Sequence, residues 1–237
     1  MNTGFYKDLD TNFQQALELS EQAFTQEELI GLLKNGNIPE KQIAALRIET
    51  VNSVEEADVL ISNLIGCDGK IREAVALKIN QLLSKDQSII NLFNKPELFA
   101  NSSIDINANI CRLTIDSVAI LIKDESFAKK YLNKVLIFIN ESFEELDKFI
   151  FRDKKYVINK QLFKLYWSLE AIKLFSKDLP KEVLLPILKR VSKEREYTIR
   201  EKAAQILTDL EDSSYDDLKE ILKNDENYYV RAAMSSV

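Results

Sequence analysis

The sequence predicts an all-α fold of helical hairpins stacked in one continuous array over residues 1–237, and three observations carry that prediction. A short phrase recurs: Lys70-Ile71-Arg72-Glu73-Ala74-Val75-Ala76-Leu77, then Thr198-Ile199-Arg200-Glu201-Lys202-Ala203-Ala204, then Tyr229-Val230-Arg231-Ala232-Ala233. Weaker copies are Asn109-Ile110-Cys111-Arg112, Ile158-Asn159-Lys160 and Lys41-Gln42-Ile43-Ala44-Ala45. Aligned on the basic residue, the copies fall at 41, 72, 112, 160, 200 and 231, a spacing typical of stacked helical repeats. The chain also has only 5 glycines and 4 prolines, too few turn residues for a fold of many strands. Finally, apolar residues return at helical spacing: after Ser53, Ala57, Leu60, Ile61 and Leu64 share one face.

Taken in order, apolar stripes place helices around 11–24, 26–34, 39–51, 54–65, 70–84, 87–94, 107–122, 125–140, 155–176, 181–192, 197–210, 214–223 and 227–236, or about six hairpins. Thr25 and Ser53 each precede a carboxylate by three residues, so each reads as a helix start capped by its hydroxyl. Gly66-Cys67-Asp68-Gly69 breaks the chain before a second helix that buries Ile71, Ala74, Val75, Ile79 and Leu82. The longest interval between copies contains Glu141-Ser142-Phe143-Glu144-Glu145-Leu146-Asp147-Lys148-Phe149-Ile150, expected as a short extra helix or long loop within an irregular insertion near 141–153.

The recurring phrase resembles the HEAT repeat, in which the second helix of a hairpin opens with Asp or Asn, then a Val-Arg-like pair, then alanines. Here Asp68 precedes Ile71-Arg72, Asp105 with Asn107 precedes Ile110-Cys111-Arg112, and Asp225 with Asn227 precedes Val230-Arg231. At 41 and 160 Lys stands in place of Arg. The resemblance implies a right-handed superhelical α-solenoid whose concave surface, lined by second helices, binds proteins and less often nucleic acid. Independently of it, small alanines let helices approach closely, and an arginine such as Arg72 or Arg112 can reach the acidic or amide cap of the next hairpin, forming a ladder.

Chemistry is excluded more readily than assigned. With no histidine, neither Ser-His-Asp nor Cys-His catalysis can be built, nor a histidine metal site, and two cysteines cannot make a four-thiolate zinc site. Cys67 and Cys111 read as buried, reduced thiols. Gly66-Cys67-Asp68-Gly69 lacks the Gly-Lys-Ser/Thr of a phosphate loop. The adjacent pairs Glu27-Glu28, Glu55-Glu56, Glu144-Glu145 and Asp216-Asp217 sit about 100° apart on a helix, which suits first-turn capping rather than a shared site. The expectation is therefore no enzyme and no cofactor.

Net charge is −6, but it is banded. Residues 1–120 hold 10 basic and 17 acidic side chains, residues 148–202 hold 15 and 7, and residues 203–237 hold 3 and 8. The basic band, with Tyr156, Tyr166, Trp167 and Tyr197 interleaved, allows a nucleic-acid-binding alternative, remotely one similar to HEAT-like alkylpurine DNA glycosylases. Against that enzyme, Ser168 follows Trp167 where an acidic residue would be wanted, and the leucines beside Trp167 suit packing. The preferred expectation is a scaffold or adaptor that binds a protein partner, with an acidic segment, along the concave face. The residues chosen as the candidate surface are Asn107, Asn109, Tyr156, Lys160, Lys164, Arg195, Tyr197, Arg200, Tyr228 and Tyr229. Residues 1–8 show no basic start followed by an apolar run, and no window has the roughly 20 apolar residues of a membrane span, so a cytoplasmic location is expected.

Overall fold

The structure, a computed structural model, describes residues 3–66, 68–148 and 155–235, with the side chains of all of these except 3–10 and 155–157. Among them are thirteen α-helices, two 3-10 segments and no β-strand. The chain forms two compact units, Met1–Tyr131 and Leu132–Val237. The first holds α1 (Thr3–Glu21), α2 (Gln26–Asn35), α3 (Ile38–Arg47), α4 (Val54–Ser62), α5 (Gly69–Lys85), α6 (Pro96–Ser102) and α7 (Ala108–Leu121), with a 3-10 segment at Gln87–Phe93. Helix α8 (Glu125–Lys148) runs through the boundary. The second holds α9 (Lys155–Lys173), α10 (Lys181–Val191), α11 (Tyr197–Thr208), α12 (Asp216–Lys223) and α13 (Tyr228–Ser235), with a 3-10 turn at Ser213–Tyr215.

Within the first unit alternate helices pack in series, α3 on α5 and α5 on α7, with α1 against α3; α2 packs on α4 and α4 on α6. Within the second unit α9 packs on α11 and α11 on α13. A helix with neighbours on both sides must bury a broad face, and α5 does so through Ile71, Ala74, Val75, Ile79 and Leu82, together with Ala76 and Leu83. The alanines lie where the helices meet: Ala44, Ala45, Ala203 and Ala204 are fully buried.

Helix starts follow local chemistry. Thr25 forms a full capping box with Glu28, and Asn37 forms another with Glu40. Ser53 accepts from the Glu56 amide, but the Glu56 carboxylate turns back to the amide of Asn52 instead.

Three elements differ from expectation. Helix α1 starts at Thr3 rather than near residue 11. Helix α6 was not foreseen, because seven residues are too few for a periodic stripe to stand out, yet Phe99 and Ala100 are wholly buried. Residues 141–148, expected as a short helix or loop, instead continue α8 to Lys148. The buried stripe of Val135, Phe138 and Ile139 passes to Ser142, whose hydroxyl donates to the Phe138 carbonyl and so fits in the apolar row. Residues 149–153 of the expected insertion lie outside those described, as does Cys67.

Candidate interaction surface

The surface is organised by the arginine of the recurring phrase. In the first unit Arg72 grips Asp105, ahead of α7, through two bonds: Nε to Oδ2 at 2.6 Å and Nη2 to Oδ1 at 3.2 Å. Its Nη1 donates to the Gly66 carbonyl at 2.6 Å. In the second unit Arg200 repeats the arrangement on Asp225, ahead of α13, at 2.7 and 2.9 Å, with Nη1 on the carbonyls of Glu194 and Arg195. Both arginines are only 7% exposed, so a planar two-bond fork takes the place of water around each guanidinium. A weaker rung joins Lys41 Nζ to Asn63 Oδ1 at 3.3 Å.

Each gripped aspartate also organises the next turn. Asp105 Oδ1 accepts the Asn107 amide, and Asn107 Oδ1 accepts that of Asn109. Asp225, Asn227 and Tyr229 form the same relay. The Arg200 bonds, offset by burial, hold the Asp225 carboxyl below the usual carboxylate range; the bond from the Asn227 amide and the charges of Arg200 and Arg231 add to this.

Arg112 is not a rung. The Asp-x-Asn turns show that the residue matching Arg72 and Arg200 is Cys111, whose thiol donates to the Asp105 carbonyl six residues back, as the Nη1 of each arginine does to residue 66 or 194. Arg112 falls one position on, is exposed, and among the described residues donates only to Asn109 Oδ1 at 3.3 Å. Burial, aided by the nearby Asp105 charge, pushes the Cys111 thiol up to about 12. The folded protein should leave Cys111 unalkylated by iodoacetamide at pH 8, while urea should expose it fully. Peptide mapping checks this, and rapid native labelling at Cys111 would contradict it.

The candidate residues fall into distinct settings. In the first unit, the amides of half-buried Asn107 and exposed Asn109 donate to Glu73 on α5, at 3.3 and 3.1 Å, so they tie α7 to α5. In the second, Lys160 and Arg195 are exposed. Lys164 is half-buried, bonded to Glu141 at 2.6 Å and set over the Phe138 ring at 4.7 Å. Arg200 is spent on the ladder. The Tyr156 side chain lies outside those described. Tyr197, Tyr228 and Tyr229 come together: the rings of 197 and 229 stack at 5.9 Å, and 228 meets 229 edge-on at 5.6 Å. Tyr228 is 68% exposed and Tyr229 59%.

Other basic side chains of the band are paired as well, Lys173 with Asp209, Arg190 with Asp147, and Lys202 with Glu170. Trp167 is buried edge-on to Tyr166 and Phe163, in a packing position. No group of three or more Cys, Asp or Glu among the described residues could hold a metal ion. No helix is long and apolar enough to cross a membrane among those residues. A depression of about 490 Å³ in the second unit, lined by Lys177, Lys181, Asp209, Asp212 and Tyr215 among others, includes none of the candidate residues. Sequence reasoning missed Glu73 and Glu141, which lie 34 and 23 residues from the partners they hold. No protein-family model and no curated protein matches the chain.

Proposed function

We propose that this protein is a HEAT-like, right-handed α-solenoid that serves in the cytoplasm as a non-catalytic scaffold, binding a protein partner with an acidic segment along the starts of its second helices. The observation that carries this reading is the aromatic run of Tyr197, Tyr229 and Tyr228 at the starts of α11 and α13. Tyrosines offer large, stiff contact area at small cost in side-chain entropy, which is why they are enriched where proteins meet. Exposed Lys160 and Arg195 supply positive charge in the same unit. The nucleic-acid alternative is weakened by the pairing of Lys164, Lys173, Arg190, Arg200 and Lys202 with carboxylates, which leaves less positive charge for phosphates.

The test is chemical cross-linking in lysate of the native host, comparing the natural chain with a Tyr228→Ala, Tyr229→Ala double variant. Both residues are well exposed, so folding should survive. A specific cross-linked protein that disappears with the variant is the expected result. Failure to find one, or binding of random duplex DNA at physiological salt with Kd below about a micromolar, tighter than usual non-specific binding, would reverse the choice.

A further inference from the structure

Asn35-Gly36 is the sole Asn-Gly pair in the sequence, and it lies at the junction of α2 and α3. Such a pair can modify itself, because glycine leaves its amide nitrogen unshielded beside the asparagine side chain. Hydroxide takes the proton from the Gly36 nitrogen, which attacks Asn35 Cγ; a C–N bond forms, and Nδ2 takes a proton from water and leaves as ammonia. Water then opens the five-membered imide at one of its two carbonyls. Cleavage at Cγ gives aspartate, whereas cleavage at the main-chain carbonyl gives isoaspartate, with the chain rerouted through Cγ.

The folded turn withholds this reaction through its backbone. Asn35 is exposed, so water and hydroxide can reach its amide. It is also the last residue of α2, and closing the imide ring requires its ψ to leave the helical value of about −42°. The Gly36 N–H donates to the Leu32 carbonyl at 2.8 Å, which keeps the nucleophile engaged. Both restraints are lost together when the last turn of α2 opens.

The isoaspartate product does not fit where the asparagine stood. Only Gly36 and Asn37 join the two helices, and a Cβ at Gly36 would lie 2.5 Å from the Leu32 oxygen and 2.7 Å from Glu40 Cβ. The link therefore has no slack. Beyond it, Asn37 and Glu40 form the capping box of α3, and the Asn37 side-chain amide donates to Gln15 Oε1 on α1 at 3.0 Å. Isoaspartate puts one more carbon into the main chain here, which breaks the register of the bond to Leu32 and displaces the cap. Aspartate adds no atom to the chain, only a negative charge at a helix C-terminus.

We infer that Asn35-Gly36 is a deamidation site guarded by the link between α2 and α3, at which a transient opening becomes a lasting one. The opened turn reacts, and its isoaspartate product cannot re-form the link. Water and hydroxide are the only co-reactants, so the site acts without any partner.

The test incubates the full chain at mildly alkaline pH, folded or in urea, and follows residue 35 by peptide mapping. Folded protein should deamidate about tenfold or more slowly than unfolded, because only the opened fraction reacts. Asn37→Ala keeps the reacting atoms but removes the cap on the Glu40 amide and the tie to Gln15. It should raise the folded rate several-fold and leave the rate in urea unchanged. After refolding from urea, molecules with isoaspartate at 35 should melt below the natural chain. Asn35→Gln, taken through the same treatment, should regain its full Tm, which separates this site from imide formation at Asp68-Gly69. Asn35→Asp should melt close to the natural chain, since it lacks the extra carbon.

Equal rates in folded and unfolded protein would overturn the guard, as would a folded rate indifferent to Asn37→Ala. Isoaspartate-bearing protein that melts with the natural chain would overturn the lasting opening.

Discussion

Replacing Arg200 with Ala should destabilise the protein by about 3–5 kcal/mol, the range for breaking a buried ion pair from one side. The loss has two sources. The Asp225 side chain, only 8% exposed, would keep its charge without the guanidinium that holds it, and the carbonyls of Glu194 and Arg195 would lose a shared donor. Arg200→Lys should recover little, since one ammonium cannot span both carboxylate oxygens and two carbonyls. Arg112→Ala is the control and should cost less than about 0.5 kcal/mol, as exposed substitutions do. Urea titration reads all three.

Acidity supplies a further check on the same pair. The folded-state pKa of Asp225 is lowered, so the pair stabilises above the ordinary carboxylate range and its contribution is lost as pH falls through the folded value. The natural chain should therefore lose its advantage over Arg200→Ala on acidification, because a protonated Asp225 no longer leaves a buried charge unpaired. A constant difference between pH 7 and pH 3 would mean that the ladder acts through packing alone.

The fold was legible where the signal is periodic and local. The stripe of α5 and the cap at Thr25 need only neighbouring residues, and both stand as read. The ladder was legible at 72 and 200 but misread at 112, because aligning copies on a basic residue slides past Cys111, which fills the arginine position. The turns give the right register: Asn107 lies four residues before Cys111, as Asn227 lies four before Arg231. The surface was less legible. Whether Lys164 faces a partner or an internal carboxylate depends on Glu141, and Arg200 depends on Asp225; each partner is brought close only by packing between helices. The three tyrosines show the opposite case, since Tyr197 is far from Tyr228 and Tyr229 in sequence but occupies the same part of a helix, and the stacking of α11 on α13 brings them together.

Phe99→Ala should cost about 3–5 kcal/mol, the usual loss for a buried aromatic ring, although Phe99 belongs to the short helix that sequence periodicity does not reveal. Its ring is wholly buried and meets Phe127 edge-on at 5.6 Å; Phe127 in turn stacks on Tyr131 at 6.0 Å. All three rings lie in the first unit, and removing the Phe99 ring leaves a cavity beside Phe127, which is held on its other side by Tyr131. Tyr131→Phe isolates the polar end of the cluster. The Tyr131 hydroxyl lies 2.7 Å from Ser103 Oγ, which also donates to the Phe99 carbonyl, so the serine keeps one partner and the loss should be only about 0.5–1.5 kcal/mol. If Phe99→Ala costs no more than Tyr131→Phe in urea titration, the cluster does not pack as a unit and α6 contributes little. A loss several times larger would show that a helix of seven residues outside the visible repeat pattern anchors the start of α8 through one ring.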